Sequence, residues 1–318
     1  MKIGIVGAGA IGGWVGAKLA VSSADVSFLA RAETLAALRQ RGIGLTENDK
    51  THFYKCNASN RADELGEQDI LIITVKAQAL PSIAPSISNL IGSNTLVVPM
   101  LNGVPWWFMG GSVSLKSVDP DGAIAASIPR QNILGCVVHA AASTPEKGIS
   151  KLHFCDRLIL GEPNGAMTAR LKMMCRVLNT AGISAQASND IRSDIWFKLW
   201  GNMTMNPMSA LTLATMDRLL DDPFVREMAK SVMREAKRIG DGIGCPISQS
   251  GEERMNVTRK LGAFKTSMLQ DVEAGKSLEL DALLAAPIEI AEQVELDVPS
   301  LRGLYGLARV MARSRGLY

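Results

Sequence analysis

The stretch Met1-Lys2-Ile3-Gly4-Ile5-Val6-Gly7-Ala8-Gly9-Ala10-Ile11-Gly12-Gly13 decides the fold of the amino-terminal half. Ile3 to Val6 is a short apolar run, the pattern of a strand buried on both faces. Gly7-Ala8-Gly9-Ala10-Ile11-Gly12 follows at once and reads GxGxxG. In that motif the first glycine permits a tight turn. The second lets the backbone approach a pyrophosphate, and the third lets helix and strand pack closely. The apolar residues from Ile11 to Val21 then suit a helix, whose first N–H groups are free to face an anion. A lone GxGxxG is weakly informative; set between a strand and a helix, it points to a dinucleotide. The same glycines break up the apolar stretch that a signal peptide would need.

Working outward, Val26-Ser27-Phe28-Leu29 reads as a second strand, and Thr34 to Arg41 as a helix closed by Gly42. Ile70 to Val75 is the clearest buried strand, and Thr95 to Val98 is another. Further β-like runs lie at 133–143, 149–154 and 157–160. Strands alternating with helices imply a parallel sheet with crossovers. From Asp190 the texture changes. Helices are expected over 190–205, 223–241, 251–272, 280–294 and 299–313, separated by Pro207, Pro223, Pro246, Gly275 and Pro299. A boundary at 187/188 divides the 318 residues into a nucleotide-binding domain, 1–187, and a helical domain, 188–318. Two domains is the number expected at roughly 150 residues each.

Composition narrows the function classes. Hydrophobic residues make up 47% and charged residues 20%, ordinary for a soluble globular protein, which sets aside disorder, collagen and a coiled coil. No apolar run reaches the roughly 18 residues of a membrane span. The net charge of +3 is too small to indicate a nucleic-acid binder. Five scattered cysteines without a CxxC favour reduced thiols and a cytoplasmic protein. The three histidines, His52, His139 and His153, form no ligand motif. No metal site is therefore expected, and any general acid has to be another residue type.

Cofactor choice turns on the end of the second strand. An NAD binder places Asp or Glu about 20 residues on, to hold the ribose 2′-hydroxyl. Here the strand ends in Arg31, whose guanidinium suits a 2′-phosphate, although Glu33 two residues later opposes that reading. This favours NADPH; the alternative for Arg31 is a solvated surface arginine. Lys76, in Val75-Lys76-Ala77-Gln78, and Asn102, in Leu101-Asn102-Gly103, follow buried strands at the edge where open parallel sheets bind ligands. Each has an ordinary reading as well, a helix-start lysine and a turn asparagine.

In the second half, Lys198, Asn202 and Asn206 are spaced i, i+4, i+8 on one helical face, among Trp196, Phe197, Leu199, Trp200, Met203 and Met205. A cation and two amides on an apolar helix are costly unless they meet one another, water or a ligand. Burial lowers a lysine pKa toward working pH, and reduction of a ketone needs a proton as hydride arrives. Ser267 and Glu279, twelve residues apart, are further candidates, for a substrate carboxylate and for substrate or Lys198. Alone, each reads first as something ordinary, a helix-surface serine and a capping glutamate.

Together these residues carry a resemblance. GAGAIGG, Arg31, VKAQ, the Asn-Gly after the fourth strand, KLWGNMTMNPMSAL and TSMLQDVEAGKSLELD make the chain similar to the ketopantoate reductase (2-dehydropantoate 2-reductase) family over nearly its whole length. The resemblance implies an α/β fold: an N-terminal Rossmann-like dinucleotide-binding domain plus a C-terminal all-α domain, with the active site in the interdomain cleft. It implies NADPH-dependent reduction of ketopantoate to (R)-pantoate, on the way to pantothenate and coenzyme A. Carried over, Gly7, Ala8, Gly9, Ala10, Ile11, Gly12, Arg31, Lys76, Asn102 and the backbone of Ala141 contact NADPH. Lys198 is the proton donor. Asn102, Lys198, Asn202, Asn206 and Ser267 hold the 2-oxo acid, and Glu279 stands at the junction of cofactor, substrate and lysine. The expected partner is a small-molecule 2-oxo acid, with no nucleic acid or membrane, and the expected assembly is a monomer or homodimer.

The chain departs from the family pattern at three places. Leu101 stands where glutamine usually precedes Asn-Gly. An aromatic segment, Pro105-Trp106-Trp107-Phe108-Met109-Gly110-Gly111, and extra sequence to about 130 follow. Thr215-Met216 stands where some members supply another asparagine. These leave a second expectation open, a paralogue reducing another 2-oxo or β-hydroxy acid, more bulky or more apolar. A third, a non-catalytic NADP-binding sensor, would not need Lys198, Asn202 or Glu279.

Overall fold

A computed structural model describes residues 1–22, 24–110, 113–260 and 262–318; Gly111 of the aromatic segment lies outside them. The chain forms two compact units. The first comprises Met1–Leu101 with Asp121–Ile191, and the second Asn102–Pro120 with Arg192–Tyr318. The expected linear partition at 187/188 does not anticipate that residues 102–120 belong with the helical unit.

Among the described residues the first unit contains ten strands. They are β1 (Lys2–Val6), β2 (Asp25–Leu29), β3 (Ile43–Glu47), β4 (Lys50–Tyr54), β5 (Asn57–Ser59), β6 (Gln68–Ile73), β7 (Ile91–Pro99), β8 (Gly135–Glu146), β9 (Ile149–Gly161) and β10 (Ala185–Ser188). Its helices are α1 (Ala10–Val21), α2 (Ala32–Arg41), α3 (Leu80–Ile87), α4 (Ala123–Ser127) and α5 (Ala169–Thr180). Strands β5-β2-β1-β6-β7 make one sheet, parallel throughout. The chain leaves β1 toward β2 and later returns to β6 on its other side. Such a reversal opens a crevice at the carboxyl ends of the strands, where α/β sheets bind ligands. A second sheet, β10-β9-β3-β4 with β8 on β9, mixes parallel and antiparallel pairs.

Helix α1 contacts strands of both sheets, which accounts for its composition. Ala10-Ile11-Gly12-Gly13-Trp14-Val15-Gly16-Ala17 offers no polar stripe, as a helix covered on all sides requires. Trp14, Val15, Ala17 and Leu19 are buried, in one core with Ile5, Phe28, Ile43 and Leu158. The β3–β4 hairpin turns at Asn48 and Asp49, both with positive φ, the two-residue geometry that matches strand twist. Its polar outer strand, Lys50 to Tyr54, gives no apolar signal. The β-like runs at 149–154 and 157–160 are one strand, β9, kept continuous by register shifts opposite β8.

The second unit is helical: α6 (Ile191–Thr212), α7 (Met216–Asp221), α8 (Pro223–Gly242), α9 (Gly251–Arg259), α10 (Ser267–Glu273), α11 (Ala286–Gln293) and α12 (Pro299–Ser314). Helix α6 runs past Pro207, where the sequence suggests an end near 205. The proline forfeits one helical hydrogen bond, but Met203 to Ala210 are all buried, and that burial outweighs the loss. The indole N–H groups of Trp196 and Trp200 donate to Ala236 O (3.2 Å) and Met233 O (3.0 Å), fixing α6 to α8. The expected helix over 251–272 is two helices. Between them Gly262 takes φ +72°, and Phe264 O accepts from Met216 N at the start of α7. Helix α12 lacks a side-chain cap of its own. The buried carboxylate of Glu235 on α8 replaces it, accepting from Ser300 N (2.9 Å) and Leu301 N (2.8 Å). Among the described residues no helix is long and apolar enough to cross a membrane.

Candidate active site

In the first unit, the glycine loop, Arg31 and Lys76 follow β1, β2 and β6 at the carboxyl edge of the parallel sheet. Val6 pairs with both Leu29 and Ile73, so the segments after β1, β2 and β6 leave the sheet side by side. Gly7 N donates to Leu29 O (3.1 Å), and Thr74 Oγ1 donates to Gly7 O (2.7 Å). Gly7 itself has φ +98°. A side-chain carbon on Gly12 would come within 2.0 Å of Gly7 O and 2.3 Å of Thr74 Oγ1, whereas one on Gly9 would meet nothing within 4 Å. The third glycine is therefore a packing requirement and the second faces open space, as the motif's logic demands. Helix α1 starts without a side-chain cap or an acidic residue in its first turn. Its N–H groups and positive dipole end are left for an anion. Ser150 on β9 braces this start by donating to Ala10 O (2.6 Å). These features fit the pyrophosphate of a dinucleotide.

Arg31 stands at the start of α2, exposed, with no ion pair or side-chain hydrogen bond among the described residues. Glu33, the residue that opposes an NADP reading, lies 3.8 Å from the Lys147 ammonium. Lys76 precedes a short 3-10 turn, Ala77–Ala79, after β6. Ala141 lies in β8 opposite Phe154, flanked on both sides by register shifts. Irregularities of that kind often re-aim a strand beside a site.

In the second unit, three residues remote in sequence converge. Lys198 Nζ donates to Asn102 Oδ1 at 3.0 Å, and Asn102 Nδ2 donates to Glu279 Oε2 at 3.4 Å. The orientation of the amide is dictated by its neighbours, since an ammonium can only donate and a carboxylate only accept. Asn102 thus bridges cation and anion, a part sequence reasoning did not give it. The fold locks this bridge. Gly103, with φ +81°, lies against the backbone of Ala282, and Val104 N donates to Ala282 O (2.8 Å). Ala282 belongs to a π-helical turn, Asp281–Ala285, starting two residues after Glu279; such turns are frequent at functional sites. Glu289 on α11 accepts from the Lys116 and Ser117 N–H groups (2.8 Å each), securing the far end of the 102–120 excursion.

Asn202 and Asn206 follow Lys198 on α6, and their side chains have no hydrogen-bond partner among the described residues. Ser267 is exposed at the first position of α10, whose cap is Thr266. The aromatic segment is packing. Trp106, Trp107 and Phe108 are buried, and Phe108 stacks on Trp196 with ring centroids 6.0 Å apart.

Comparisons with known proteins converge on one family. Residues 3–165 match the model described as Ketopantoate reductase PanE/ApbA, and residues 190–312 match Ketopantoate reductase PanE/ApbA C terminal. The chain belongs to the ketopantoate reductase family. A 2-dehydropantoate 2-reductase of Mesorhizobium japonicum is 38% identical, covering 100% of both chains. A solved structure from Ralstonia solanacearum MolK2, provisionally named a ketopantoate reductase, is 51% identical with a TM-score of 0.97, covering 100% of this chain and 99% of the other. D-mandelate dehydrogenase in complex with NADH and anilino(oxo)acetate shares the fold at 22% identity and a TM-score of 0.87, covering 100% of both chains. Family membership thus makes the chain an oxidoreductase, while a fold shared with another dehydrogenase does not choose the substrate.

Proposed function

We propose that the protein reduces 2-dehydropantoate (ketopantoate) to (R)-pantoate with NADPH, in pantothenate and coenzyme A synthesis. The observation that carries this reading is the Lys198–Asn102–Glu279 bridge, with the unpartnered amides of Asn202 and Asn206 on the helix of Lys198. Bound at the glycine loop, the nicotinamide would supply hydride to the ketone carbon. Gly7 to Gly12 would hold its pyrophosphate, with Lys76, Asn102 and the Ala141 backbone as further contacts. Arg31, bound to no carboxylate, would hold the 2′-phosphate.

The chain's own residues supply the rest. Asn102 accepts one hydrogen of the Lys198 ammonium and so orients it. That ammonium attracts the charge developing on the ketone oxygen and donates the proton that oxygen needs. Glu279, through Asn102, fixes the amide against which the lysine is oriented. The Asn202 and Asn206 amides would bind the oxo acid and its 4-hydroxyl, and the Ser267 hydroxyl would donate to its carboxylate. The burial of Trp106–Phe108 removes one of the three reasons for a bulkier, more apolar substrate, since those rings are buried in packing.

The decisive experiment follows NADPH absorbance with a panel of 2-oxo acids. Ketopantoate is expected to give the highest kcat/KM by at least tenfold. A different acid at the top of the panel would transfer the assignment to that substrate.

A further inference from the structure

Arg254 on α9 carries a charge that no described residue answers. Its guanidinium lies 5.1 Å over the Phe197 ring and is half-buried. It forms no ion pair and no hydrogen bond among the described residues. Burial pulls its pKa below the usual arginine value, the mark of a cation short of compensation. Arg259, five residues on, shows the contrast, donating to Leu220 O and Asp221 Oδ1. Retaining an unpaired, half-buried cation costs stability, and a stack on one aromatic ring offsets only part of it.

The location is informative. The guanidinium rests against Gly201 of α6, where a side-chain carbon would come within 3.0 Å of Nη2 and 3.2 Å of Nε. Glycine is a poor interior helix residue, and here it makes room for this close approach. Gly201 lies three residues after Lys198 and directly before Asn202. A planar, unpaired cation therefore lies on the same stretch of α6 that presents the proton donor and a substrate amide. The compound proposed to bind there is an anion.

We propose that Arg254 receives the carboxylate of the 2-oxo acid and selects acids over neutral ketones. Its fork of N–H donors matches a carboxylate bidentately, which the single hydroxyl of Ser267 cannot do. The proposal rests on the reading of the protein as a 2-oxo acid reductase.

The test compares the full-length wild type with R254Q, R254K and G201A. Ketopantoate is used beside its neutral lactone, as substrate or, where it is not turned over, as competitive inhibitor. R254Q is expected to raise the ketopantoate KM by about 10- to 100-fold. Its kcat should stay within about threefold, its NADPH KM unchanged and its lactone constants unmoved. R254K, which keeps the charge without the fork, should fall between. G201A should raise the ketopantoate KM several-fold without lowering the thermal midpoint, because alanine is the better helix former. R254K and G201A still decide the matter if R254Q does not fold. Equal effects on acid and lactone, or none on either, in an enzyme that reduces ketopantoate would overturn the role of Arg254 and leave the reductase reading standing. A wild type that turns over no 2-oxo acid would remove both.

Discussion

The nucleotide loop is made of backbone from consecutive residues, Gly7 to Gly12, whereas the Lys198 centre is made of side chains drawn from positions 102, 198 and 279. The first depends on where a side chain is absent, the second on which functional group is present. The two regions should therefore fail in opposite ways. A methyl group in the wrong place should damage shape and stability at the loop. Loss of one ammonium should damage chemistry at Lys198 and leave the fold intact.

The largest effect is expected at the chemical end. Lys198→Ala should lower kcat by about 10²- to 10⁴-fold, the range typical of a positioned general acid. NADPH affinity and the unfolding midpoint should hardly change, since Lys198 is only partly buried and its cavity can fill with water. Single-turnover rates and NADPH titration separate these outcomes. A variant that keeps its rate would show that the convergence of Asn102, Lys198 and Glu279 is structural.

Next in size is the contrast within the loop itself. Gly12→Ala would drive a methyl group into Gly7 O and Thr74 Oγ1, neither of which can yield without breaking the turn. A loss of about 3 kcal/mol in unfolding free energy, the upper part of the overpacking range, is expected. Gly9→Ala meets open space. It should cost under about 1 kcal/mol of stability and weaken NADPH by roughly tenfold. Equal stability losses at the two positions would erase the distinction between a packing glycine and a ligand-facing one.

A smaller and more selective effect is expected at Arg31. Removing its guanidinium should raise the NADPH KM by about tenfold, the loss of a charge-assisted contact, and leave the NADH KM within about twofold. Matching changes for both cofactors would place Arg31 outside the 2′-phosphate site. Glu33, already beside Lys147, should affect neither when changed to glutamine.

What could be read from the sequence follows the same division. The loop was legible because its geometry is encoded by six adjacent residues. The Lys198-Asn202-Asn206 stripe was legible because helical spacing is local. Their convergence with Asn102 was not, because it depends on Gly103 reaching Ala282 and on Glu289 reaching Lys116 and Ser117, pairs more than 170 residues apart. The family motifs name the residues; the bridging role of Asn102 exists only in the folded arrangement. The β3–β4 hairpin escaped notice because Lys50-Thr51-His52-Phe53-Tyr54 is mostly exposed, although Asn48-Asp49 was a readable turn. Arg254 escaped because an arginine on an otherwise polar helix carries no signal until its missing partner is visible.

The smallest effect is expected where the helical unit supports Glu279 from behind. Leu278 N donates to Leu317 O (2.9 Å), and the Tyr318 hydroxyl donates to Asp281 Oδ1 (2.5 Å). Residues 317 and 318 thus hold the chain on both sides of Glu279. Burial, then the hydrogen bonds to Asp281 and Tyr305, push the Tyr318 phenol well above the usual tyrosine range, so it remains a donor at any pH the enzyme tolerates. Tyr318→Phe should cost about 1 kcal/mol of stability and two- to fivefold in kcat, as Glu279 gains freedom to drift from Asn102. The pH profile of kcat should keep its shape, because a phenol that never ionises contributes no limb to it. A shifted alkaline limb would mean that the phenol titrates within reach of the reaction. Support for Glu279 would then be chemical, and the contrast between a loop built from shape and a centre built from functional groups would extend to Tyr318.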